Sequence, residues 1–212
     1  MINMGACASE TDHTGYAENN EPDIAYSNDI HKASKDASHS IRNAKIDNTL
    51  PLPANWQKQS YNEWLKQLRV TECPAKYDGN EERFKNLIKI SASTKILLLT
   101  CDLGAYQDAY YIFKIDTSAK NITPLSFNTP SDKDVTRLKK KTLIWGAIYP
   151  SDNGKELELL NLSAGTGMCG YLAHFPLNQL LSGTVITPSR IFADEDCYNG
   201  ITVEQWPEIK FK

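Results

Sequence analysis

Apolar positions are unevenly placed along the chain. The first fifty residues carry only scattered ones, such as Ile24, Ile30 and Ile41, with neither a helical nor a strand period. Asn, Asp, Ser, Thr, Ala and Lys dominate there, so residues 1–50 read as a solvated tether that cannot bury enough surface to fold. Pro51-Leu52-Pro53 closes it, because both prolines favour extended backbone. A folded domain is expected over residues 51–212.

Ser60-Tyr61-Asn62-Glu63 has the form of a capping box, and Tyr61, Trp64, Leu65 and Leu68 follow at i, i+3, i+4 and i+7. This predicts one short amphipathic helix over 61–70, with Trp64 and Leu68 against a sheet. Beyond Cys73-Pro74 the period becomes that of strands. They are predicted at 84–90, 95–101, 109–115, 143–149, 157–162, 171–175 and 184–192. Ile96-Leu97-Leu98-Leu99 is apolar on both faces and predicts a central strand, whereas Tyr111, Phe113 and Ile115 alternate as in a half-buried one. Ser151-Asp152-Asn153-Gly154 predicts a hairpin turn. The polar stretch 128–141, ending in Arg137-Leu138-Lys139-Lys140-Lys141, reads as a solvated loop leading into an edge strand whose lysines discourage edge-to-edge pairing. The expected fold is therefore mainly β: an antiparallel meander forming a sandwich or partly open barrel, with one short N-terminal helix.

A hydrophobic content of 41% supports a core once it is concentrated in the second part of the chain. The formal charge of -3, with mixed signs, shows no clustered positive field for nucleic acid or an anionic membrane surface, so nucleic acid is excluded as an expected partner.

Cysteine placement adds a compartment. Cys73, Cys101, Cys169 and Cys197 fall in the domain, and Cys7 stands alone in the tether. Bridges between sequence neighbours would join Cys73 to Cys101 and Cys169 to Cys197 with equal separations, although four cysteines allow three pairings. Such bridges persist in an oxidising compartment. A structural zinc site would need close C-x(2-4)-C pairs, which these four do not form, and free buried thiols are the plainer alternative.

Met4-Gly5-Ala6-Cys7 resembles the end of a bacterial lipoprotein signal peptide, in which small residues precede the cysteine that is acylated. Six residues are too few for a complete signal, so the start of this sequence is expected to fall inside a longer leader. Lipidation at Cys7 would leave residues 8–50 as a tether spanning roughly 35 to 40 Å as a flexible coil. No apolar segment is long enough to span a bilayer as a helix, so the membrane would be reached through the lipid anchor only.

Candidate chemistry is sparse. Gly165-Thr166-Gly167-Met168-Cys169-Gly170 fits G-x-G-x-x-G in its letters, but Tyr171-Leu172-Ala173-His174-Phe175-Pro176 continues as a strand and not as the helix a dinucleotide site requires. A glycine-permitted turn that brings Cys169 to its partner is the reading adopted. His13, His31 and His39 lie in the tether, which leaves His174 as the domain's histidine, packed or pointing outward from a strand. Asp102 beside Cys101, and Asp194-Glu195-Asp196 before Cys197, are candidate contact residues, together with Tyr106. No catalytic set, metal site or cofactor motif is expected.

Three stretches in order resemble an uncharacterised family of bacterial cell-envelope proteins, domain of unknown function 1176. They are Leu99-Thr100-Cys101-Asp102-Leu103-Gly104-Ala105-Tyr106-Gln107, similar to its C-x-x-G-A-Y-N/Q segment; Gly165 to Gly170, similar to its G-x-G-x-C-G segment; and Cys197-Tyr198-Asn199-Gly200 with Trp206-Pro207, similar to its closing C-x-G and W-P. The resemblance spans about residues 70–209. Gln107 stands where asparagine is common, and the N-terminal globular half of longer members is missing. The resemblance implies a secreted or periplasmic β-rich domain with disulfides, and it brings no established activity, cofactor or catalytic residue. Gly104 is expected as a turn glycine, Tyr106 as packing beside the bridge, and Trp206 as closing the C-terminal edge of the core.

The expected function is that of a non-catalytic envelope module on the periplasmic side, lipid-anchored, in the outer membrane rather than the inner, binding a protein or glycan through loops at one end of the sheet. Two alternatives stand beside it: an inhibitor of a cell-wall hydrolase such as lysozyme, and an envelope enzyme with a pocket near Asp102 or His174.

Overall fold

The computed structural model describes residues 48–71, 73, 78–131, 134–163 and 169–211. Cys7, the tether histidines and Gly165–Met168 lie outside the described residues. The elements in chain order are β1 (Leu50–Pro51), a 3-10 turn (Trp56–Lys58), α1 (Tyr61–Gln67), α2 (Glu81–Phe84), β2 (Lys85–Lys89), β3 (Thr94–Leu103), β4 (Asp108–Asp116), β5 (Asn121–Pro124), β6 (Ser126–Ser131) and β7 (Asp134–Lys141). They continue with β8 (Leu143–Trp145), β9 (Ala147–Pro150), β10 (Glu156–Leu162), β11 (Gly170–Pro176), α3 (Leu177–Ser182), β12 (Val185–Ile186), β13 (Arg190–Asp194) and a second 3-10 turn (Val203–Gln205).

The protein is mainly β, as its periodicity predicts. One sheet runs β1-β5-β4-β3-β2, with β8 also pairing β4; a second runs β13-β11-β10-β9; a third runs β12-β6-β7. No barrel closes among the described strands. Nearly all pairings are antiparallel, but β12 pairs β6 in parallel, against the expectation of a purely antiparallel meander. A long connection through β7 to β11 separates these two strands in sequence, which a parallel pair requires.

β3 is the central strand that its apolar run predicts. Ile96 and Leu98 face a core shared with Phe127, Leu157, Leu159, Ala173, Phe175 and Ile191 of the other sheets. Leu97 and Leu99 face the opposite way, onto Tyr61, Trp64, Leu68 and Phe84. The result is three layers: helical N-terminal segment, sheet, and sheets.

The helix forms where predicted, with Ser60 and Glu63 making the reciprocal capping box, but it ends at Gln67 and not at residue 70. Arg69 takes φ 56°, and Val70 N–H donates back to Leu65 O at 2.9 Å, a left-handed terminus that lets Leu68 and Val70 turn inward. Buried Tyr61, whose hydroxyl donates to Thr100 O at 2.5 Å and is pushed up to about 12 by burial, fastens the helix to β3.

Several boundaries are corrected. Phe84 closes the one-turn helix α2, capped by the Asn80 side chain on Arg83 N–H at 3.2 Å, so the strand expected from residue 84 starts at Lys85. The span expected as one strand at 143–149 breaks at Gly146 (φ 131°), where the chain leaves β4 for β10. The span 184–192 breaks at Thr187-Pro188-Ser189 between sheets. The stretch 128–141 is not a loop but the β6–β7 hairpin, with Thr129 fully buried and β7 on an edge, so only its lysine-bearing edge matches the expectation. β5 and α3 were not foreseen either. Ser151–Gly154 does turn β9 into β10, with Gly154 N–H donating to Ser151 O at 2.9 Å.

Both bridges form in the nearest-neighbour pairing: Cys73–Cys101 and Cys169–Cys197, each spanning 28 residues, with Cα atoms 4.5 and 4.6 Å apart. Two such bridges mark an oxidising, exported environment. No helix among the described residues is long and apolar enough to cross a membrane.

Candidate functional site

Strand directions send four connections to one end of the molecule: β3–β4, β6–β7, β10–β11 and the segment after β13. In the β3–β4 turn Gly104 N–H donates to Gln107 O at 3.2 Å. Gly104 needs no positive φ. It is glycine because a Cβ there would overlap Gln107 O and press the Trp145 ring at 3.0 Å. This turn then grips the second sheet. Gln107 Nε2 donates to Leu162 O at 3.2 Å, and Leu162 N–H donates to Gln107 Oε1 at 2.9 Å, so one side-chain amide pairs with a backbone peptide 55 residues away. Leu162 pairs with Gly170, and Gly170 with Asp194. Asp102, Tyr106 and Asp194 to Asp196 are thereby gathered at the same end.

Between the hairpins lies a cleft of about 410 Å³, whose lining includes Ser131, Asn161, Ser163, Tyr171, Asp194 and Glu195. Its acidic wall is held by local bonds. Asp194 accepts from Asp196 N–H at 3.0 Å and from the Asn199 amide; Asp196 accepts from Tyr198 N–H at 3.0 Å; Asn199 accepts from Ile201 N–H at 3.1 Å. The Cys169–Cys197 bridge closes this loop onto the start of β11. These carboxylates spend acceptor capacity on their own loop, and no group of three metal-ligating side chains occurs among the described residues.

Tyr106 departs from its expected role. It is 68% exposed and does not pack beside a bridge, because the tight turn around Gly104 throws it outward. Asp102 lies just past the bulge in β3 and accepts from Leu103 N–H at 2.8 Å. Tyr198, 91% exposed, joins Tyr106 as a second projecting ring that sequence reading passed over. Its signal was its place beside Cys197 in an acidic loop. Trp206 is buried as expected.

His174 sits away from this end, buried in β11, with Nδ1 3.3 Å from Glu156 and 3.5 Å from Glu158. Burial alone would raise the Glu156 carboxyl, but hydrogen bonds from Ser189 and Arg190 and the charges of Arg190 and His174 hold it below the usual glutamate range. Ser189 Oγ donates to Glu156 at 2.8 Å and to His174 O, not to the imidazole, so these residues do not form a nucleophile–base pair.

The Gln107 clamp gives a direct expectation. Gln107→Ala leaves Leu162 N–H and C=O without their side-chain partner, at a cost of about 1 to 3 kcal/mol. Urea unfolding should show that loss together with faster amide exchange at Leu162; unchanged exchange would mean that the sheets are held together without it.

Compared with known proteins, the chain matches no protein-family model, no curated protein and no solved structure.

Proposed function

We propose that this chain is a non-catalytic binding module of the bacterial envelope, anchored through an acyl group on Cys7 on the periplasmic side of the outer membrane, which engages a basic protein surface with its acidic, tyrosine-bearing loop end. One observation carries the reading: Tyr106 and Tyr198 project from turns that are pinned by Gln107 and by a disulfide, amid Asp102, Asp194, Glu195 and Asp196. Exposed tyrosines on rigid supports provide contact area at low entropic cost, and carboxylates around them steer a cationic partner. The ordered stretches that resemble those of the envelope family of domain of unknown function 1176 fit the same reading, since Gly104, Gln107, Gly170 and Cys197 all serve to build this end.

Inhibition of a cell-wall hydrolase such as lysozyme is the narrower form of the reading, favoured by the acidic loops. A photo-crosslinking residue placed at Tyr106 or Tyr198 in envelope-expressed protein should capture the same partner from both positions, and one at exposed Lys58 should not. Absence of a common adduct would remove the loop end as the binding surface. In parallel, an excess of the pure protein should slow lysozyme, and Glu195→Lys with Asp196→Lys should abolish the slowing; no slowing by the parent protein removes the inhibitor.

A further inference from the structure

Tyr106, Asp108 and Tyr110 occupy alternate positions where the chain leaves the β3–β4 turn and enters β4. Residues two apart on a strand share a face, so Asp108 and Tyr110 stand side by side, both half-buried, while Tyr106 projects from the turn just before them. Between this turn and the corner where β8 gives way to β9 lies a cleft of about 340 Å³, which all three side chains line. Gly104, Ala105, Gly146 and Ala147 also line it and contribute at most a methyl group each, which keeps it open. Its two walls are tied through the backbone: Gly104 N–H donates to Gln107 O at 3.2 Å, and Gly146 N–H donates to Asp108 O at 3.1 Å. The Gln107 side chain holds the turn from the other side by pairing with the Leu162 peptide, so the cleft is formed before any ligand arrives.

The charge of this cleft is unanswered. Asp194 and Asp196 spend acceptor capacity on their own loop, but the Asp108 carboxylate has no hydrogen-bond or ion-pair partner among the described residues, and among them no lysine or arginine lines the cleft. Burial, and then the Asp108 charge beside it, push the Tyr110 phenol above the usual tyrosine range, so its hydroxyl stays neutral and can accept or donate. One carboxylate between two aromatic rings, with no cation competing for it, suits a flat cation. A guanidinium can fork two N–H groups onto the carboxylate and lay its plane on a ring, whereas an ammonium is a compact, strongly hydrated charge that gains no stacked contact.

We infer that this cleft receives an arginine side chain of the basic partner, with its guanidinium paired to Asp108 and stacked on Tyr106. The occupant is argued from charge complementarity and from the placing of the rings about the single carboxylate. The inference rests on the loop-end binding surface proposed above and names the group of the partner that this part of the surface takes.

The test is a titration of the full chain carrying Cys7→Ser, which has no acyl group, followed by amide NMR spectra at low ionic strength. The probes are acetyl-Gly-Arg-Gly-amide and its citrulline and lysine counterparts. The arginine peptide should shift the amides of residues 104–108 and 146–147. Asp108→Asn should weaken it about tenfold, the worth of a charge-assisted hydrogen bond. Tyr106→Ala should weaken it about threefold, the worth of an exposed cation–π contact, and Tyr106→Phe should retain it. Neither side chain has a partner among the described residues, so the variants keep the fold, which unchanged amide positions outside the cleft verify. No shift, equal affinity for the citrulline or the lysine peptide, insensitivity to Asp108→Asn, or shifts confined to residues 194–200 would overturn the inference. Failure here is distinct from failure of the loop-end surface. A common partner crosslinked from Tyr106 and Tyr198 without an arginine-peptide response removes the cleft and leaves the surface, whereas an arginine-peptide response without a common partner supports the cleft and removes the protein surface around it.

Discussion

Replacing Cys169 and Cys197 together by alanine is expected to destabilise the domain by about 3.5 kcal/mol, the loop-closure entropy of a crosslink of this length. For a domain of this size that corresponds to a fall in Tm of about 10 °C. The pair Cys73 and Cys101 closes a loop of the same 28-residue span, so its removal should cost a similar amount. The local consequences differ. Without Cys169–Cys197 the segment from Asp194 to Gly200 keeps only the local hydrogen bonds of Asp194, Asp196 and Asn199, and its amides should exchange faster than those of β3. Without Cys73–Cys101 it is Cys73 that loses its tie to β3. A calorimetric scan with residue-level hydrogen exchange checks both. Unchanged protection at residues 194–200 would show that the Asp194, Asp196 and Asn199 bonds alone hold the loop, and that the disulfide contributes only to global stability.

Gly170→Ala should be comparably damaging for a steric reason. Gly170 has φ 139°, a conformation that side-chain-bearing residues rarely adopt, and a Cβ there would overlap the carbonyl oxygen of Asn161 and approach Leu162 Cα at 2.9 Å. Backbone strain and crowding together should cost about 2 to 5 kcal/mol. The pairing of Leu162 with Gly170 would have to shift, and with it the peptide that Gln107 grips. Gly200→Ala is the matched control: its φ is 75°, but nothing lies within 4 Å of the added Cβ, so only the conformational cost of about 1 to 2 kcal/mol should appear. Equal losses in the two variants would mean that close strand approach is not what requires glycine at 170.

These two glycines illustrate why the loop end was half legible. The motifs around Cys101, Cys169 and Cys197 marked the segments that build it, and Asp102, Tyr106 and Asp194 to Asp196 were picked out on composition and position. That they share one end follows from strand direction and from the Gln107 amide pairing with Leu162, a contact 55 residues apart for which local pattern carries no signal. Tyr106 was misplaced for the same reason: sequence proximity to a bridge does not determine which way a tight turn throws a side chain.

The sequence by itself determined the elements whose burial is periodic. The capping box and the i, i+3, i+4, i+7 spacing were enough for α1 and a run apolar on both faces for β3; the alternation of Tyr111, Phe113 and Ile115 located β4 but suggested a half-buried strand, whereas Ile112 is buried on its other face, and the choice among three disulfide pairings came from the structure. Periodicity records how often a side chain meets the core, so it succeeds where one segment faces one core. It failed for β6 and β7, where Thr129 and Pro130 are buried and lysines line the edge, because there burial comes from a neighbouring sheet and not from apolar residues in the segment. The breaks at Gly146 and at Thr187 to Ser189 arose likewise, since a strand changes sheet wherever the packing of two layers demands it. Only the tertiary structure decided which loops share an end: Asp102, Tyr106 and Asp194 to Asp196 are far apart along the chain and come together because antiparallel strands carry alternate connections to opposite ends.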